Sequence, residues 1–99
     1  MDIYPRYKGR AIIPTRSAYH ELEDLGLNLF DVADVLENGY DCHRSRRKKG
    51  KLERCLQLDN KVIRVVVADG QFVYPDGYIE NVYWLIHVSI ETSKRRPRR

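Results

Sequence analysis

Tyr83, His87 and Glu91 place a phenol, an imidazole and a carboxylate at four-residue spacing. If residues 81–91 form a strand, alternate side chains share a face, and this trio would then suit general acid–base chemistry, because an imidazole titrates near neutrality. A structural histidine satisfied by its neighbours is the competing reading. His20 lies in an acidic stretch and His43 in a basic one, and neither has an evident partner. There is no nucleophile motif, no glycine-rich phosphate loop and no recognisable paired-carboxylate site. Nothing in the sequence therefore calls for a cofactor.

Cys42, His43 and Cys55 are the residues with metal-ligand chemistry. They supply three soft ligands without the paired spacing of zinc modules, so no metal site is expected. The two thiols remain readable either as separate small hydrophobes in the core or as a disulfide. A bridge would close a loop of about 14 residues and contribute about 3 kcal/mol in the chain-entropy model. Disulfides are unusual in the cytosol of mesophiles but occur in hyperthermophiles, and the scarcity of Asn, Gln, Met and Cys leans in that direction.

The strongest binding signal is charge. Eleven of the eighteen Lys and Arg residues sit in two runs without an acid. The first contributes Arg44, Arg46, Arg47, Lys48, Lys49 and Lys51; the second contributes Lys94, Arg95, Arg96, Arg98 and Arg99. The other seven cations face all fourteen carboxylates, so the body carries −7 against +11 in the runs, giving the net +4. Clustering of this kind points to a polyanionic partner, and Arg in particular suits bidentate phosphate contacts. Two alternatives stand beside it: a merely solvated connection, and an electrostatically steered homodimer. In the dimer, the basic loop of one copy would lie on the acidic stretch of another, since Ser17 to Cys42 holds seven acids and no base. No helix-turn-helix, finger or ribonucleoprotein aromatic signature accompanies the charge, which argues against sequence-specific readout. Among seven tyrosines, Tyr74 and Tyr78 flank an expected turn tip and are the best base-stacking candidates.

The elements that must position these groups follow from pattern. At 99 residues the chain fits one domain, 1–92, followed by a flexible basic tail over 93–99, where Pro97 blocks regular structure. No apolar stretch is long enough to span a bilayer, and Met1 to Pro5 lacks a signal-peptide layout, which predicts a cytoplasmic protein. After an irregular opening containing Ala11-Ile12-Ile13, Thr15 or Ser17 caps a helix over 16–25 that Gly26 ends. Asn28 caps a second helix with Asp31 in its first turn, a stripe of Leu29, Val32, Ala33 and Leu36, and a stop at Asn38-Gly39. Residues 52–58 and 61–68 then form a hairpin around Asp59-Asn60. A second, smaller hairpin forms around Pro75-Asp76-Gly77. A last strand puts Val82, Trp84, Ile86, Val88 and Ile90 on its core face. The expected fold is α+β, with two N-terminal helices packed on a mainly antiparallel β-sheet of three to five strands.

The run Asp31-Val-Ala-Asp-Val-Leu-Glu-Asn-Gly39, the basic loop, Arg54, and Val62-Ile-Arg-Val-Val-Val67 resemble a family of small uncharacterised domains related to the RelE/ParE toxins. That resemblance covers roughly residues 15 to 92 and implies a toxin-like ribonuclease or interaction fold. The family tends to open its first helix with His and to place Arg before the glycine, where this chain has Arg16 and Leu25; the carry-over is therefore confined to Arg54, Arg64 and His87. Length and composition also resemble a small protein conserved in filamentous and rod-shaped archaeal viruses, such as Acidianus filamentous virus. The expectation is a small basic homodimer that binds DNA or RNA non-specifically. Its alternatives are a toxin-like ribonuclease using Arg54 and His87, and a non-enzymatic viral structural or interaction protein.

Overall fold

A computed structural model describes residues 4–42 and 50–92. The chain opens with two strands, β1 (Arg6–Tyr7) and β2 (Arg10–Pro14), joined by Lys8-Gly9, both at positive φ, as a two-residue hairpin turn requires. Helices α1 (Arg16–Leu25) and α2 (Leu29–Asn38) follow, then β3 (Tyr40–Asp41), β4 (Lys51–Leu58), β5 (Lys61–Val73) and β6 (Ile79–Thr92). All six strands form one sheet in the order β1-β2-β6-β5-β4-β3.

This corrects the expected fold class. Strands hold 54% of the described residues and helices 24%, and the six-stranded sheet curls into a half-barrel. The helices are not N-terminal, because β1 and β2 precede them. The sheet is mainly antiparallel, as expected, but β2 runs parallel to β6, with Ala11 opposite Val82 and Ile13 opposite Trp84. A parallel partner at the far end of the chain leaves no local turn signal. The residues of 11–13 therefore read as irregular until β6 is in place.

The helices formed where their caps stand. Thr15 Oγ1 accepts from Ala18 N, and Gly26 ends α1 in the left-handed conformation. Asn28 and Asp31 form a reciprocal capping box at the start of α2. Ala18, Leu22, Val32, Val35 and Leu36 cover one face of the sheet, against Ile12, Ile63, Val65, Val67, Leu85 and Val88. Each such fully buried branched side chain contributes about 1.5–3 kcal/mol.

Two further corrections concern β5 and β6. The expected second, smaller hairpin is the outer end of a long one: β5 continues through Asp69-Gly70 to Val73 and pairs with β6 throughout. The register shifts between Val66 and Val67, leaving Ile86 as an extra residue in β6. Such a bulge reverses which side chains face the core. Tyr83 and Leu85 therefore share the helix-covered face with Val88 and Ile90, whereas Val82 and Trp84 lie on the opposite face.

Candidate functional site

The bulge separates the residues of the expected acid–base trio. His87 pairs with Val66 and Glu91 with Val62 on the uncovered face, while Tyr83 pairs with Asp69 on the other. Tyr83 lies 5.9 Å from the ring of Tyr7 and 5.0 Å from the guanidinium of Arg10. Glu91 is 3.3 Å from Arg64. The partner of His87 comes instead from α1. Its Nδ1 is 3.1 Å from Glu21 Oε2, and Val88 N donates to Glu21 Oε1 at 2.9 Å. A carboxylate oxygen accepts, so this contact suits the form of His87 that carries its proton on Nδ1. Beyond Leu85, β6 has no β2 residue beside it, and the Glu21 carboxylate takes the place of a missing strand there. Glu21 is not legible in the sequence, because its acidic neighbours on α1 look the same.

Arg54 also has a structural setting. Its guanidinium donates to the carbonyl of Gly39 at 2.7 Å and to Asp41 at 3.2 Å, tying the end of α2 to the cross-strand pair Asp41 and Arg54. Arg54 is opposite Val65 and His87 opposite Val66. Successive residues point to opposite faces, so the two toxin-type candidates are not brought together. Arg64 shares the face of His87 but bridges Glu53 and Glu91, each at 3.3 Å.

The remaining sheet arginines are matched in the same way. Arg6 pairs with Glu80 at 3.2 Å and Arg10 with Asp69 at 2.9 Å. The body of the protein thus neutralises its arginines on β1, β2, β4 and β5 with its own carboxylates. Lys51 differs: it is exposed at the start of β4 and opens the row Lys51, Ala68, Trp84 across three neighbouring strands. Of the expected phosphate-binding set it alone is described. Arg44, Arg46, Arg47, Lys48, Lys49, Lys94, Arg95 and Arg96, together with His43, lie outside the described residues.

The ends of the basic run are placed. Cys42 and Cys55 form a disulfide, their Cα atoms 5.3 Å apart and both residues buried. On the other side, Gly50 takes the left-handed conformation and its carbonyl accepts from Asp69 N at 2.8 Å. Among the described residues no group of three His, Cys, Asp or Glu is arranged to hold a metal.

A row of rings runs outward from Lys51 on the uncovered face. The indole of Trp84 lies over Gly70, where a Cβ would overlap it. Ring centroids then follow at 6.4 Å from Trp84 to Phe72, 4.9 Å from Phe72 to Tyr74 and 5.5 Å from Tyr74 to Tyr78. Asp76 and Gly77 shape the turn at the end, with Tyr78 N donating to Asp76 Oδ1 at 2.9 Å.

No family model, curated protein or solved structure matches this chain. The likenesses to the RelE/ParE group and to the archaeal viral protein therefore receive no support from comparison. Among the described residues no helix is long and apolar enough to cross a membrane.

Proposed function

We propose that this protein binds nucleic acid without sequence preference, through phosphate contacts made by the basic run over 43–51 and by Lys94, Arg95 and Arg96. The observation that carries the reading is the clustering of cations in the sequence, set beside sheet arginines that are each matched. The arginines on β1, β2, β4 and β5 are matched by carboxylates of the same chain, whereas the two runs contain no acid at all. Six like charges within nine residues repel each other, and phosphates relieve that repulsion. The Cys42–Cys55 disulfide supports the same reading, since it fixes the take-off points of the run and lowers the entropy lost on binding.

Filter binding to duplex DNA and to RNA across a salt series tests this proposal. Neutralising six phosphates gives a log–log salt slope of about −5. Binding that ignores salt, or no binding at low salt, rejects it. The competing homodimer uses the same cations against the acidic helices, so its signature is dimer dissociation with rising salt and no response to nucleic acid.

A further inference from the structure

The uncovered face of the β5–β6 hairpin carries a graded surface, cationic at one end and aromatic along the rest. Lys51 is opposite Ala68, which is opposite Trp84. Neighbouring strands lie about 4.8 Å apart, so the Cα atoms of Lys51 and Trp84 are about 10 Å apart. From Trp84 the rings of Phe72, Tyr74 and Tyr78 lead to the hairpin tip, where Tyr74 is 38% exposed and Tyr78 62% exposed. Interplanar angles of 46°, 80° and 46° mean that no ring in the row is sandwiched flat against the next. Tyr78 at the tip is the most exposed ring of the row and the one best placed to meet a planar ligand.

Trp84 has a packing role in this row, seated over Gly70, whereas Tyr74 and Tyr78 are exposed and contribute no buried core residue. The core is built on the other face, beneath the helices, and neither Trp84 nor Phe72 belongs to it. Two carboxylates lie by the row: Asp76 at the tip accepts from Tyr78 N, and Glu80 accepts from the Tyr74 hydroxyl at 2.8 Å and pairs with Arg6 at 3.2 Å, so that Glu80 is occupied. It therefore contributes little repulsion toward an anionic chain.

We propose that this row is a base-stacking platform for single-stranded nucleic acid, continuous with the phosphate-binding run that ends at Lys51; it rests on the phosphate-binding reading and narrows its ligand to strands with unpaired bases. Every base has a π-face, so stacking on tyrosine and tryptophan is tolerant of sequence. That agrees with a sequence without a helix-turn-helix, finger or ribonucleoprotein aromatic signature. In a duplex the base faces are covered by their neighbours, and only the phosphates remain for contact.

Trp84 is the single tryptophan of the chain, so its fluorescence reports on the platform directly. The protein is titrated at low salt with an oligothymidylate of about 12 nucleotides, with an abasic oligomer of the same length and charge, and with vesicles of anionic phospholipid. The platform predicts quenching of Trp84 by oligothymidylate, and binding about tenfold or more tighter than to the abasic strand. Tyr78→Ala, at an exposed position that the fold does not need, removes about tenfold of the oligothymidylate affinity and none of the abasic affinity. Tyr78→Phe keeps both. Equal affinity for the two strands overturns the platform while leaving the phosphate reading intact, and failure of both to bind overturns the two together. A response to vesicles without a response to oligothymidylate also overturns it, and makes the tip a membrane contact.

Discussion

Trp84 and Gly70 are fitted to each other across β6 and β5: the indole occupies the space that any side chain at position 70 would need. Glycine within a strand is otherwise a weakness, and here the ring covers the gap. Gly70→Ala forces the indole aside. The expected cost is about 1–3 kcal/mol, read as a lower urea midpoint with unchanged slope and accompanied by altered Trp84 emission. A variant as stable as the parent, with unaltered emission, removes this account of Gly70.

The Cys42–Cys55 bridge holds the two-residue strand β3 against β4. Reduction, or replacement of both cysteines by serine, is expected to lower stability by about 3 kcal/mol. Thermal unfolding with and without reductant checks this. The parent should fall to the level of the double variant, and the variant should not respond to reductant.

Asn28 and Asp31 satisfy each other's backbone N–H groups at the start of α2, at 2.9 and 3.0 Å. Asn28→Ala is expected to cost about 1 kcal/mol. Asn28→Asp should restore most of it, because aspartate caps as well as asparagine. A denaturant series on the three proteins decides whether capping is the cause.

Glu21 supplies the acceptor for Val88 N on a stretch of β6 that has no neighbouring strand on that side. Glu21→Ala leaves that N–H without its partner in a buried residue, at a cost of about 1–3 kcal/mol. Glu21→Gln retains an oxygen and should lose less. Hydrogen exchange at the Val88 amide separates the outcomes: fast in the alanine variant, slow in the parent and intermediate in the glutamine variant.

Replacing Arg46, Arg47 and Lys48 together by alanine is expected to flatten the salt slope of nucleic-acid binding by about 2 to 3 units. The substitutions remove charge and no apolar side chain, so the melting temperature is expected to stay within a few degrees of the parent. Unchanged binding with an unchanged slope would exclude the run as the site.

The parts of this fold that announce themselves in the sequence are those settled within a few residues of each other. Thr15, Gly26, Asn28 and Asp31 mark both helices because a cap acts on the very next turn. Asp59, at positive φ, marks the β4–β5 turn for the same reason. Features settled by distant partners stayed hidden. Lys8 carries a conformation that its residue type does not advertise, which concealed β1 and β2. Ile86 looks like any other apolar strand residue, yet as the bulge it reverses the faces of Tyr83 and Trp84. Gly70 reads as the end of a strand when it is the seat of an indole from the next one. For the candidate site, the cationic runs are visible in composition alone. The grouping of Lys51 with Trp84 exists only once three strands are in register.

The parallel pairing of Ala11 with Val82 makes assembly of this sheet a late event. Contacts between segments so distant along the chain require closure of nearly the whole chain before they yield any stabilisation, and topologies of this kind fold slowly. During synthesis, β2 emerges early and waits with an open edge until β6 has left the ribosome. Ile12 and Ile13 remain uncovered for that interval, which makes the nascent protein dependent on rapid completion of its last strand or on a chaperone that shields its first.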